Sequence, residues 1–132
     1  PRVIDHFLGK RKEIKIYGDD FDTHDGSAIR DFIHVLDIVN AHILGIEVLR
    51  KKNENIIVNL GSNEGYTVKE VIDSAESYFN KRPIISMCKR RPGDPGVLLA
   101  DNKLAKEVLS WSPEYSLDNM IKSTHLWREN QK

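Results

Sequence analysis

Apolar positions along this chain recur at two periods, and the changes of period mark its elements. Val3, Ile4, Phe7 and Leu8 stand at helical spacing, with Gly9 as the stop. Glu13 to Tyr17 (EIKIY) alternates with period two and predicts a strand, and Gly18-Asp19-Asp20 then turns the chain. Asp25-Gly26 is a second turn signal, followed by a predicted strand from Ile29 to Val35 in which Ile29, Phe32, Ile33 and Val35 are the candidates for burial. Asp37 then reads as the N-cap of a helix to about Leu49, with Ile38, Ala41, Leu44, Gly45, Val48 and Leu49 on one stripe.

Asn55 to Leu60 is a short apolar run and predicts a strand. The loop GSNEG (Gly61 to Gly65) leads into a helix over Val68 to Phe79. Thr67 and Glu70 form its capping box, and Val68, Val71, Ile72, Ala75, Tyr78 and Phe79 its apolar face. Ile84 to Lys89 predicts another strand, and Val97 to Ala100 an extended segment. Asp101 or Asn102 caps a short helix carrying Leu104, Ala105, Val108 and Leu109, which Trp111-Ser112-Pro113 ends. Ser116 caps a last helix with Leu117, Met120, Ile121, Thr124 and Trp127 on one face. Trp111 and Trp127 read as core or packing aromatics and Cys88 as a small core residue. Strands interleaved with helices make the fold class α/β, of mixed type.

Composition narrows the functions more than the fold. The 132 residues hold 20 Lys and Arg against 20 Asp and Glu, so no net charge favours nucleic acid or an anionic membrane. A single cysteine excludes an internal disulfide and suits a reducing, cytoplasmic setting. No apolar run reaches membrane-spanning length, and no signal peptide is visible. The five histidines show no H-x-x-x-H or H-E-x-x-H spacing, which leaves a metal site unsupported. The chain opens on Pro1 rather than Met, and PRVIDHFLGK reads as the continuation of something longer.

Candidate chemistry gathers in two stretches. Arg30, on its predicted strand beside a loop, is a rigid fork for a phosphate or carboxylate; equally, it is a partner for Asp31 or another carboxylate in a structural ion pair. About sixty residues on, RRPGDP (Arg90 to Pro95) sets two arginines in a Pro- and Gly-punctuated loop with Asp94 three residues after the second. Arg30 and Arg91 are suited to neutralising a diphosphate, and Asp94 to accepting hydrogen bonds from ribose hydroxyls. GSNEG is neither G-x-G-x-x-G nor a P-loop, and it reads as a plain βα turn.

Three motifs, in order and correctly spaced, carry a resemblance: THDGSAIRDFIHVLDI from Thr23, NLGSNEGYTV from Asn59 and KRRPGDP from Lys89. They resemble T-x-D-G-T-x-x-R-D-Y-I-H-V-x-D-L, N-L-G-x-G-x-G-x-S-V and P-R-R-P-G-D-P of the UDP-glucose 4-epimerase family, which are extended short-chain dehydrogenases/reductases. Ser27 stands for Thr and Phe32 for Tyr. The resemblance covers nearly the whole chain and is to the C-terminal part of that family.

The resemblance implies UDP-sugar binding, with Arg30 and Arg91 on the diphosphate, Asp94 on the ribose and Tyr17 on the uridine. Tyr17 is also read simply as a half-buried strand aromatic. Leu98 departs from the family, which often has an aromatic there near the nucleotide. The family interconverts UDP-glucose and UDP-galactose by transient oxidation at C4 with tightly held NAD. Its NAD loop, catalytic Tyr/Lys pair and dimerisation helices belong to a Rossmann domain expected before Pro1. The chain alone is therefore expected to be inactive and to need that half as its partner. The helix from Asp37 and the strand from Asn55 are expected to pack on its sheet. His34, in the family's I-H-V position, is expected to be hydrogen-bonded within the fold. The same portion of another nucleotide-sugar epimerase or dehydratase, and a non-catalytic binding module, are the alternative readings.

Overall fold

The computed structural model describes residues 1–52 and 54–131. In chain order the elements are α1 (Arg2–Phe7), β1 (Ile14–Tyr17), β2 (Ile29–Arg30), α2 (Val35–Lys52), β3 (Tyr66–Thr67), α3 (Val68–Phe79), β4 (Ile85–Cys88), β5 (Val97–Leu98), α4 (Lys103–Leu109) and α5 (Leu117–Asn130). The strands form two small sheets. β1 pairs in parallel with β4, Ile14 opposite Ile85 and Tyr17 opposite Cys88. β2 is the centre of the other, antiparallel to β3 and parallel to β5. The class is α/β and mixed, as the patterning predicts.

One core joins α1, β1, α3 and α5 through Ile4, Phe7, Ile14, Ile16, Val71, Ile72, Ala75, Leu117 and Ile121. The period-two alternation of β1 sends Ile14 and Ile16 inward. The predicted capping box of α3 is complete: Thr67 Oγ1 accepts from Glu70 N–H at 3.0 Å, and Glu70 Oε2 accepts from Thr67 N–H at 2.7 Å. Ser116 caps α5 in the same way, with Asn119 reaching back to it. His6 is buried between elements, donating from Nδ1 to the Arg11 carbonyl (3.0 Å) and accepting at Nε2 from Ile84 N–H (3.1 Å). A second, smaller core holds Ala41, Ala105, Leu109 and Trp111 between α2 and α4.

Four expectations need correction. The strand from Ile29 stops at Arg30, because Asp31 turns its carboxylate onto neighbouring backbone: Oδ1 accepts from Ser62 N–H and Oδ2 from Ala100 N–H, where a ladder bond would otherwise continue. Asp37 is not an N-cap. α2 begins two residues earlier, where the His34 ring accepts from Leu36 N–H at 3.1 Å. Asp37 is buried instead, with its carboxylate taking Glu114 N–H (2.9 Å) and its carbonyl taking the Trp111 indole N–H (2.9 Å). Residues 54–60 form no strand, since no described strand lies beside them to complete a ladder; Ile57 is 89% exposed. Trp127 is not a core residue, being more than half exposed on the flank of the α5 face with Arg128 over its ring.

His34 behaves as expected: besides capping α2, its Nε2 bonds Ser123 Oγ at 2.8 Å. Trp111 is fully buried, and Cys88 is half-buried on β4. Asn102 holds the cap position of α4, but it is Asp101 whose carboxylate accepts from Lys103 N–H.

Candidate functional site

The site residues assemble around one turn. Asp94 N–H donates to the Arg91 carbonyl at 3.2 Å, closing the four residues Arg91-Pro92-Gly93-Asp94. Pro92 sets the second position, and Gly93 at φ +80° supplies the third, which is the signature of a type II turn. Asp94 faces β2: its Oδ1 lies 3.6 Å from Arg30 Nη2, both side chains being partly buried. Arg30 Nη1 also donates to the carbonyls of Ile29 (2.8 Å) and Pro95 (3.0 Å). Arg91 faces β1, its guanidinium carbon 3.9 Å from the centroid of the Tyr17 ring. One turn thus brings all four sequence-predicted residues together as two pairs, Arg30 with Asp94 and Arg91 with Tyr17.

Arg90 is fixed quite differently from its neighbour. It stacks on Phe21 at 4.0 Å, and its Nε donates to Asp20 Oδ1 at 2.5 Å while Nη2 reaches the Asp20 carbonyl. Gly18, between them at φ +88°, has no room for a side chain: a Cβ would lie 2.6 Å from the Phe21 ring and 2.7 Å from Arg90 Cγ. Tyr17 also lines a cleft of about 530 Å³ with Arg2, Arg11, Lys12, Lys15 and Glu13. Four cations and an aromatic around a cleft of that size suit an anionic ligand with a flat ring. The Ser86 hydroxyl, then Lys15, which lies 3.4 Å away, hold the Glu13 carboxyl below the usual range.

The loop leading into β2 is anchored by Asp25. Its Oδ1 accepts from Ser27 N–H and Oγ at 2.7 and 2.8 Å, and its Oδ2 from Thr67 Oγ1 at 2.5 Å. Lys69 Nζ donates to the Asp25 carbonyl. Burial pushes the Asp25 carboxyl up, but the bonds from Thr67 and Ser27 together with Lys69 outweigh it and leave it below the usual range. Sequence reading named Asp25 only as a turn former and passed over Asp31 as a ligand of neighbouring backbone. Their motif positions, D-G-S and R-D, are visible in the sequence, but apart from Ser27 the partners of these two carboxylates lie 31 to 69 positions away.

GSNEG does not fit a dinucleotide. A pyrophosphate needs free N–H groups at the loop, and here Ser62 N–H goes to Asp31 and Gly65 N–H to Ser62 Oγ (3.1 Å). Asn102 fills the remaining space, its Nδ2 donating to the Gly61 carbonyl at 2.6 Å. The loop is held by side chains, and it is not the βα turn expected, since residues 54–60 form no strand ahead of it and β3 follows it. Among the described residues no cluster of three or more His, Cys, Asp or Glu could hold a metal ion, and no helix is long and apolar enough to cross a membrane.

This fold and site define a member of a nucleotide-sugar enzyme family. The family described as GDP-mannose 4,6 dehydratase matches residues 8–124, and the chain belongs to it. Within it the similarity runs to epimerases, a class of isomerase. The chain is 42% identical to UDP-glucose 4-epimerase of Rhizobium meliloti (strain 1021), over 99% of its own length and 40% of that protein's. It is 41% identical to the UDP-glucose 4-epimerase of Halalkalibacterium halodurans, over 98% and 39%. Among solved structures, a UDP-glucose 4-epimerase superposes with a TM-score of 0.95 at 39% identity, covering 99% of this chain and 40% of that one. The UDP-glucose 4-epimerase of Stenotrophomonas maltophila with bound NAD and formylated UDP-arabinopyranose gives 0.94 at 35% identity, over 98% and 39%. The chain thus spans about 40% of the length of the curated relatives it matches.

Proposed function

We propose that this chain is the C-terminal, UDP-sugar-binding portion of a UDP-glucose 4-epimerase, working in the cytoplasm on UDP-glucose and UDP-galactose. The observation that carries the reading is the type II turn at Arg91–Asp94, which groups Arg91, Asp94, Arg30 and Tyr17 beside a cationic cleft. In this reading Arg30 and Arg91 grip the diphosphate, Asp94 the ribose and Tyr17 the uridine. Binding energy concentrated on the nucleotide leaves the hexose free to present either face. To take the ribose, Asp94 gives up its 3.6 Å contact with Arg30, and Arg30 then turns to the phosphates.

NAD and the residues that move protons belong to the rest of the enzyme, because the Gly-rich loop of this chain is already filled. A second α/β part would also cover the apolar residues left exposed on α2 and at Ile57. A free-standing binding module would bury such a surface, and that argues for the epimerase reading over the module.

Thermal melts of the purified chain with millimolar UDP test this. A ligand bound only by the native state at about a hundred times its Kd adds roughly 2.7 kcal/mol. UDP should raise the melting temperature, Arg91→Ala should abolish the rise, and the same preparation should turn over no UDP-glucose with NAD supplied. A melt indifferent to UDP would sink the nucleotide-binding reading, and turnover would sink the assignment of catalysis to the missing half.

A further inference from the structure

Arg90 and Arg91 are neighbours in sequence, and only Arg90 is locked. Its charge is met by Asp20 and its plane by Phe21. Arg91 has no carboxylate within ion-pair distance among the described residues. Its guanidinium rests on the Tyr17 ring alone, 3.9 Å from the centroid. Arg91 is itself exposed while Tyr17 is half-buried, so one face of the ring lies under an exposed, movable side chain. A flat base stacking there meets the guanidinium first.

The geometry points to Arg91 as a cap on the empty nucleotide site. It parks on Tyr17 when no phosphate is present and swings off to a phosphate when one arrives, baring the ring for the base. This rests on the nucleotide reading above and adds to it a coupling between two halves of one ligand. A nucleoside without phosphate must displace the cap unaided. A pyrophosphate draws the cap away and so prepares the ring. Each half therefore raises the affinity of the other by the same factor, as linkage requires. The cap also keeps a half-buried aromatic from taking up stray planar molecules, since only a ligand with a phosphate supplies Arg91 with its second resting place. Cation–π stacking at an exposed ring is weak enough to be exchanged for charge-assisted bonds to phosphate.

The inference predicts effects of opposite sign from one substitution. Titrations of the purified chain and of Arg91→Ala, followed by NMR shifts of the Tyr17 ring, use uridine, inorganic pyrophosphate and UDP as probes. In the unaltered chain, saturating pyrophosphate should tighten uridine binding by about two- to five-fold, the worth of an exposed cation–π contact. Arg91→Ala should weaken pyrophosphate by about tenfold or more, since charge-assisted bonds are lost. The same variant should bind uridine about two- to five-fold tighter and lose the pyrophosphate effect. Arg90→Ala, which leaves the Tyr17 face covered, should not tighten uridine. If UDP binds but Arg91→Ala weakens uridine or leaves it unchanged, the cap is overturned and the nucleotide reading stands. Tightening of uridine by Arg90→Ala, or absence of any uridine shift, overturns it equally. No shift with UDP overturns both.

Discussion

Helices α3 and α2 both carry apolar stripes, and they differ in what lies against them. On α3 the stripe of Val71, Ile72 and Ala75 is shut between α1, β1 and α5, and Phe79 stacks on Phe7 at 4.9 Å. On α2 only Asp37 and Ala41 are buried among eighteen residues. Ala41, Leu44 and Val48 meet the smaller core with α4, while Val35, Leu36, Val39, Ile43, Ile46 and Leu49 face outward. An apolar groove of about 440 Å³ runs between α2 and residues 56–60. Scattered exposed apolar residues are ordinary, but six on one helix beside a groove form a patch of the kind that marks a covered surface. One side of the chain closes on itself, and the other leaves its apolar residues open.

The sharpest way to break that contrast is to hollow the closed side. Ile72→Ala should cost about 2–5 kcal/mol, because the fully buried site cannot refill with solvent or neighbours. Urea unfolding curves would read it as a large drop in midpoint; a loss below about 1 kcal/mol would show that this core does not hold the chain together.

Acid should act next, through Asp25, which ties the loop before β2 to the α3 cap. Its folded carboxyl ionises at lower pH than in the unfolded chain, so its contribution is complete above the ordinary aspartate range and fades as pH falls through the lowered value. Asp25→Asn should therefore destabilise at neutral pH, with the gap to the unaltered chain closing in strong acid. Urea midpoints compared across that range check the sign, and a gap that widens in acid would contradict it.

The smallest effect belongs to the open side. Ile43→Ser or Ile46→Ser should change stability by no more than about 0.5 kcal/mol, since neither side chain is shut into a core. Both should reduce binding of a hydrophobic dye and any association that grows with concentration. A cost above about 1 kcal/mol would mean that the face is already covered within this chain.

What was legible in the sequence follows the range of the interactions. The capping box at Thr67 was readable because its partners lie three residues apart; at Ser116 the cap was read, but its partner Asn119 was not. The turn at Arg91–Asp94 was readable because Pro and Gly carry its backbone angles themselves. Asp37 misled because an Asp ahead of an apolar run looks like a cap, whereas the groups it serves at Glu114 and Tyr115 lie 77 and 78 positions on. The types of residue in the site could be named from two of the motifs and the strand that ends at Tyr17. Which of them pair could not, because Arg30 and Asp94 meet only when β2 lies beside β5. Residues 54–60 have a strand's composition, but a strand also needs a neighbour, and composition says nothing of neighbours.

The parallel pairing of β1 with β4 has a consequence in time. Ile14 meets Ile85, and the same seam is tied by His6 to Ile84, 78 positions along the chain. Closing a loop of that size costs about 4 kcal/mol of chain entropy before any contact repays it. Helices α2 and α3 form within that loop from local signals, so they can precede the seam, while β1 has no partner until β4 has been made. During synthesis at about 5–20 residues per second, β1 therefore waits several seconds as an unpaired strand. The strand that carries Tyr17 is made well before it can be set in place, and the cleft that Tyr17 lines matures only once β4 has paired.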